Sequence, residues 1–442
     1  MKSIVRRLSS SQIIILSFAA VILLGCLLLM LPISTRDGRG ACFADALFTS
    51  TSAVCVTGLI VQDTATFWSP FGQALIITMI QIGGMGVVTM AVATSLISGK
   101  KISLKQRSTM QEAISAPQVG GIIRVSGFIL KMTIIFELLG AAVMAPTFCK
   151  EFGVLKGIWY SVFHSISAFC NAGFDLMGSK TPYSSLTYFV NTPVINVTIM
   201  ALIVIGGIGF MTWDDVKINK WHIRRYRMQS KVILTVTALL ILLPALYFFF
   251  FEFGDMPLGK RTWASLFQSV TQRTAGFNTV DFALISETGL GIMIFLMLIG
   301  GSPGSTAGGM KTTTVAVLFS TAISVFRRKE HTHFFGRRIT EDTVRNAATI
   351  LTMYLTLFLG GGFIISRVEG LPLLTCLYET ASAVGTVGLT LGITPELGLL
   401  SRGILIVLMY FGRVGGLTLI FAALSGNQGN TARLPQEKLT VG

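Results

Sequence analysis

Four times along this chain a short amphipathic segment ends in a glycine followed by a large apolar residue: SAVCVTGL (52–59), SAFCNAGF (167–174), VTQRTAGF (270–277) and SAVGTVGL (382–389). The glycines, Gly58, Gly173, Gly276 and Gly388, stand 115, 103 and 112 residues apart by subtraction. Such intervals are too long for a soluble solenoid or propeller, and each has room for two membrane spans. Repetition of this kind inside a hydrophobic protein is how one polypeptide closes a ring around a pore. The expected repeat unit is a membrane hairpin.

Of the 442 residues, 52% are hydrophobic and 12% charged, about half the charged share of a soluble domain, so several segments must lie in lipid. The apolar run 13–31 is longer than the core of a signal peptide and ends in LPIS without a small-residue cleavage site; it reads as the first span. One apolar span before and one after each glycine motif gives spans near 12–32, 74–97, 122–148, 194–213, 231–253, 288–326, 343–367 and 401–424. The expectation is therefore an all-α integral membrane protein of eight transmembrane spans. Its repeats run 1–110, 111–228, 229–340 and 341–442, the last with a polar C-terminal tail.

The net charge of +15 is distributed by side rather than spread evenly. On the side that carries both termini lie 22 basic residues, including Arg6, Arg7, Lys100, Lys101, Arg224, Arg225, Arg327, Arg328, Arg337 and Arg338, against nine in the opposite loops. The positive-inside rule places that side in the cytoplasm, of a bacterial plasma membrane on this reading. The basic excess is topology and not a nucleic-acid footprint. The six cysteines have neither CxxC nor metal-ligand spacing and read as packing residues, while His331 and His333 form an HxH in a basic, solvated loop.

Before each glycine motif stands a helix-forming stretch of about ten residues, too short to span. Such a helix is re-entrant, and the non-helical backbone after it must be buried in protein or line water. Phe48, Phe163 and Tyr378 stand ten residues before their glycines but Phe267 only nine before Gly276, so the third helix is one residue out of step. A second motif recurs in the span after each glycine: IGGMG (82–86), IGGIG (205–209), IGGSPG (299–304) and FGRVGG (411–416). Small residues there allow close helix packing.

Carbonyls fixed in a ring replace the water around a cation, glycine permits the backbone angles this needs, and helices aiming their C-terminal ends at the centre favour positive charge. On this order of helix, short helix, glycine and helix, repeated four times, the chain resembles the Trk/Ktr/HKT superfamily of potassium transporters over nearly its whole length. The start of the first span near residue 12 is more similar to the Ktr branch. The resemblance implies a filter built from Val56, Thr57 and Gly58; Asn171, Ala172 and Gly173; Thr274, Ala275 and Gly276; and Thr386, Val387 and Gly388. Potassium would bind the carbonyls near the four glycines. Sodium is expected as a co-ion or activator. Channel-like uptake is the first reading, with a coupled secondary transporter as the alternative; a membrane-embedded enzyme is not favoured, because its interior offers few catalytic groups, mainly Lys131, Glu137, Lys311 and Arg413.

Two positions break the repetition. Arg413 occupies the place held by Gly84, Gly207 and Gly301, about 18 Å along a helix starting at Ser401, where an intramembrane cation faces a cavity or a partner. It reads as an electrostatic barrier, or as one half of a pairing with an acid such as Glu137. The stretch GGSPGSTAGGMKTTT (300–314) cannot continue a helix and must line the cavity; with Gly300, Gly301, Ser302, Gly304, Gly308, Gly309 and Lys311 it reads as a gate, as in Ktr relatives. Met310 separates Gly309 from Lys311, so the stretch is not a P-loop. The resemblance further implies a homodimer seated on a cytosolic ring of separate nucleotide-binding subunits. The basic loops 100–107, 217–231 and 327–338 are its docking candidates. No covalently bound cofactor is expected, the transported ion is potassium, and any nucleotide sits on the regulatory subunit.

Overall fold

The computed structural model describes residues 8–97, 103–114, 121–282, 285–416 and 418. The C-terminal tail and part of the first basic loop fall outside them. Among the described residues, four helices are by themselves long and apolar enough to cross a bilayer: Ser10–Leu29, Ile122–Phe152, Met228–Glu252 and Glu341–Glu369. Their exposed flanks carry runs of leucine, isoleucine and phenylalanine, among them Leu23, Leu24 and Leu27, Leu138 and Leu139, Leu242 and Leu243, and Phe363 and Ile364. Faces of that chemistry are at rest only against lipid or another apolar surface.

Each long helix is followed by a shorter, buried one: Phe43–Val54, Val154–Phe169, Leu258–Thr271 and Leu373–Gly385. At 12, 16, 14 and 13 residues they exceed the expected ten but remain too short to span. Their first turns, with Phe43, Val154, Leu155, Leu258 and Leu373, are exposed, and burial begins nearer the motif. Phe48, Phe163, Phe267 and Tyr378 are completely buried.

The spans after the glycine motifs are not continuous helices. Pro70–Met85 gives way to Val87–Ile97, Pro193–Gly207 to Phe210–Asn219 with a bend of 96°, and Glu287–Leu298 to Thr312–Phe326 across an irregular loop; Leu399–Val414 stops at Gly415. The second glycine motif causes these breaks, which the sequence reading placed only in the third repeat. Gly86, Gly209 and Gly415 adopt φ of 84°, 92° and 88°, a conformation that ends a helix and that a Cβ opposes. Helix starts are locally encoded as well. Pro70 and Pro193 take first-turn positions, Ser69 accepts from the Gly72 amide at 3.1 Å, and Ser286 accepts from that of Gly289 at 3.0 Å.

The same clusters set how closely the layers meet. A Cβ on Gly83, Gly206 or Gly412 would collide with the carbonyl oxygen of Val54, Phe169 or Val384, each four residues before its motif glycine. The broken helix therefore lies directly against the end of the short helix of its own repeat. In the third repeat Gly300 meets the Gly308 carbonyl instead, so the irregular loop takes the place of the short helix. The expected outcome for Gly83→Ala is a loss of about 2 kcal/mol from overpacking against backbone, read as a lowered Tm in detergent. Gly360→Ala, where nothing lies within 4 Å of the new methyl, leaves Tm unchanged or raises it.

Candidate ion-conduction pathway

The four short helices end on segments with one shared backbone signature. Positive φ occurs at Val56 and Gly58 (57° and 93°), Asn171 and Gly173 (59° and 71°), Thr274 and Gly276 (66° and 82°), and Thr386 and Gly388 (52° and 92°), but not at the residue between. Alternating left- and right-handed residues turn successive carbonyls to the same side, whereas an ordinary strand points them alternately. A left-handed non-glycine costs about 1–2 kcal/mol, and holding four of them requires surroundings that overdetermine them. The sequence reading identified the glycines but not this second strained position.

The segments close on one another in chain order. A Cβ on Gly58 would strike the Ala172 carbonyl, one on Gly173 would lie 2.8 Å from the Ala275 oxygen, one on Gly276 would strike the Val387 carbonyl, and one on Gly388 that of Thr57. Each glycine thus faces the carbonyl preceding the glycine of the next repeat, and the fourth returns to the first. All twelve residues are 0–1% exposed where a value is given.

A hydroxyl four residues after each buried aromatic ties helix to segment. Ser52 and Ser382 accept the amides of Gly58 and Gly388 at 3.1 and 3.0 Å; Ser167 and Thr271 donate to the carbonyls of Phe174 and Phe277 at 2.7 and 2.6 Å. The missing residue of the third repeat lies between Thr271 and Gly276. Thr57, Ala172 and Val387 donate their amides five residues back, at 2.8 Å each, while Ala275 donates four residues back at 2.9 Å. The tighter turn absorbs the deletion and leaves the segment in register.

Beneath the ring, the loop of the third repeat is fastened on two sides. The amides of Ser302 and Thr306 donate to the carbonyls of Gly207 and Gly206 at 3.0 and 3.3 Å, and that of Gly309 to the Gly412 carbonyl at 3.1 Å. Thr306 Oγ1 donates to the Phe169 carbonyl at 3.0 Å. Backbone at this depth that is not helical has found its partners in protein, as it must. Arg413, in the last turn of its helix, donates to the carbonyls of Thr306, Gly83 and Gly84, the last at 3.0 Å. It therefore joins the first, third and fourth repeats. Its partners are carbonyls, not Glu137, which lies beside Gln81. Lys311 Nζ turns back to the Ala307 and Gly308 carbonyls at 2.9 and 3.4 Å. Gly304, Gly309, Lys311 and Arg413 line one cavity of about 270 Å³, whereas Gly300, Gly301, Ser302 and Gly308 are buried away from it.

Arg273, within VTQRTAGF, is a further buried charge that the glycine pattern does not single out. The side chain is 5% exposed and donates to Thr237 Oγ1 at 3.3 Å. Close to the ring stand Asp63 and Asp175, and burial pushes the Asp175 carboxyl up to about 7, with Asp63 contributing in the same direction. Among the described residues no cluster of His, Cys, Asp or Glu has the geometry to hold a metal.

The chain matches the TrkH family, described as cation transport proteins, over residues 5–433. It is 40% identical to the potassium/sodium uptake protein NtpJ of Enterococcus hirae, over 100% of this chain and 99% of that protein. Identity to the Ktr system potassium uptake protein B of Bacillus subtilis is 38%, over 99% of this chain and 97% of the relative. Its fold matches the crystal structure of the potassium transporter TrkH from Vibrio parahaemolyticus with a TM-score of 0.73, at 20% identity, covering 93% of this chain and 84% of that one. An apolar helical architecture and similarity along almost the entire sequence agree: the chain belongs to the TrkH/Ktr family of membrane cation transporters, which are not enzymes.

Proposed function

We propose that this protein is the pore-forming subunit of a potassium uptake system of the plasma membrane, with a gated, channel-like pathway. The carrying observation is the ring of four segments, each with two positive-φ residues and each with its glycine against the carbonyl that precedes the next repeat's glycine. Potassium entering it exchanges hydration oxygens for the carbonyls around Gly58, Gly173, Gly276 and Gly388, with the C-terminal ends of four short helices lowering the cost of its charge. The names of the relatives, potassium/sodium uptake protein and potassium uptake protein, support the ion assignment. On this reading the repeats are 1–110, 111–228, 229–340 and 341–442, the four broken helices complete eight spans, and both termini face the cytoplasm. Sodium serves as co-ion or activator. A homodimer on a ring of separate nucleotide-binding subunits completes the system.

Passage is controlled below the ring. An ion leaving it meets Arg413 and Lys311 in one cavity, and the loop 300–310 is held across that exit by the glycine clusters of the second and fourth repeats. Removing the guanidinium both lifts a barrier and releases the loop. Arg413→Ala is expected to raise cation flux by about tenfold or more, the scale of electrostatic focusing, measured as tracer uptake per copy at the cell surface; unchanged flux in folded protein rejects the barrier.

Expression of the chain with its regulatory partner is expected to restore growth of a potassium-uptake-deficient cell at low potassium. Failure despite verified membrane expression of both sinks the uptake assignment. In the same cells Gly388→Ser, whose side chain collides with the Thr57 carbonyl at a φ of 92°, is expected to lower the potassium-over-sodium uptake ratio by about tenfold, equivalent to about 1.4 kcal/mol of differential stabilisation.

A further inference from the structure

The residue after the buried aromatic of each short helix differs in every repeat: Thr49, His164, Gln268 and Glu379, all 0–1% exposed. Three of them reach the chain at the same place, three residues beyond the motif glycine. His164 Nε2 accepts the Leu176 amide at 3.4 Å while its Nδ1 faces the Tyr160 carbonyl at 2.7 Å; with Nδ1 carrying the proton, both bonds are satisfied. Gln268 Nε2 donates to Thr279 Oγ1 at 3.4 Å. Glu379 Oε1 accepts the Leu391 amide at 3.0 Å and Thr390 Oγ1 at 2.6 Å, and its Oε2 accepts Thr394 Oγ1 at 2.7 Å. Thr49 is too short for this reach, and its hydroxyl has no partner among the described residues. In the first repeat the tie runs the other way, from Gln62 Nε2, four residues beyond Gly58, to Asp45 Oδ2 of the short helix at 3.0 Å.

The fourth repeat has the strongest of these braces. Its three partners all donate, which matches a carboxylate acting solely as acceptor, and bonds to a charged acceptor are about twice as strong as neutral ones. The segment it holds also contains Gly392 at φ 91°, a left-handed glycine with no counterpart four residues beyond the other motif glycines. A ring of carbonyls that closes without resistance coordinates a smaller ion as well as a larger one. We propose that Glu379 is a positioning residue for ion selection: from behind the ring it holds the 388–394 segment and so keeps the carbonyls of the fourth repeat from closing around sodium.

This inference rests on the filter reading of Gly388, and the experiment separates the two. Potassium-uptake-deficient cells expressing the full chain with its regulatory partner are assayed for radioactive rubidium and sodium uptake, normalised to surface protein. Glu379→Ala is expected to lower the rubidium-over-sodium ratio by about fivefold, the scale of one net hydrogen bond. Glu379→Gln, which keeps an oxygen for the Leu391 amide, is expected to hold most of the ratio. The double substitution Thr390→Val and Thr394→Val removes two of the bonds from the other side and repeats the alanine result, which covers the case in which Glu379→Ala does not reach the surface. A parental ratio in Glu379→Ala, or in the valine pair where the alanine variant is not made, overturns the proposal. A ratio in Glu379→Gln as low as in Glu379→Ala overturns bracing in favour of charge alone. If Gly388→Ser keeps the parental ratio, the filter reading falls and this inference falls with it.

Discussion

Backbone amides and carbonyls that leave a helix inside a membrane must find partners in protein or face water, and this requirement organises the whole chain. The structure leaves helical geometry at membrane depth in two kinds of place. Above, four segments pass through left-handed residues and are held by a hydroxyl from the preceding helix. Below, the loop of the third repeat spends its amides on the carbonyls of Gly206, Gly207 and Gly412. Glycine serves both: it tolerates the left-handed angles of the upper segments and lets the broken helices approach the ends of the short ones until a methyl would not fit.

The repeats are not equivalent, and their differences fall on functional ground. Loss of one residue in the third repeat is absorbed by a tighter turn after Thr271, which keeps Gly276 in the ring. The exchange of glycine for Arg413 in the fourth supplies a guanidinium that binds carbonyls of two other repeats. A cation at that depth is costly, and its persistence is explained by the carbonyls gathered around it. Loop and arginine thus share one cavity wall, so that a change in either is felt by both.

Much of this was legible in the sequence because it is periodic. The recurrence of a glycine motif after a short amphipathic stretch locates the four segments, and the spacing from Phe267 to Gly276 exposes the irregular repeat. Other features have no periodic signal. The left-handed Val56, Asn171, Thr274 and Thr386 share no side-chain chemistry, because the strain belongs to the backbone and is imposed by neighbours distant in sequence. The helix breaks at Gly86, Gly209 and Gly415 look like packing glycines until their φ is known. Arg413 stands out as a charge, but that its partners are carbonyls rather than Glu137 follows only from tertiary placement. Arg273 has no periodic signal either, since it stands where the other motifs have Cys55, Cys170 and Gly385.

The central claim is that the four segments form one site for a dehydrated potassium ion. Anomalous diffraction from crystals grown in rubidium, an ion of nearly potassium size, tests it most directly. The account predicts a peak on the axis enclosed by Gly58, Gly173, Gly276 and Gly388, lost when sodium replaces rubidium. A ring without a peak, in crystals where rubidium is bound elsewhere along the pathway, contradicts it.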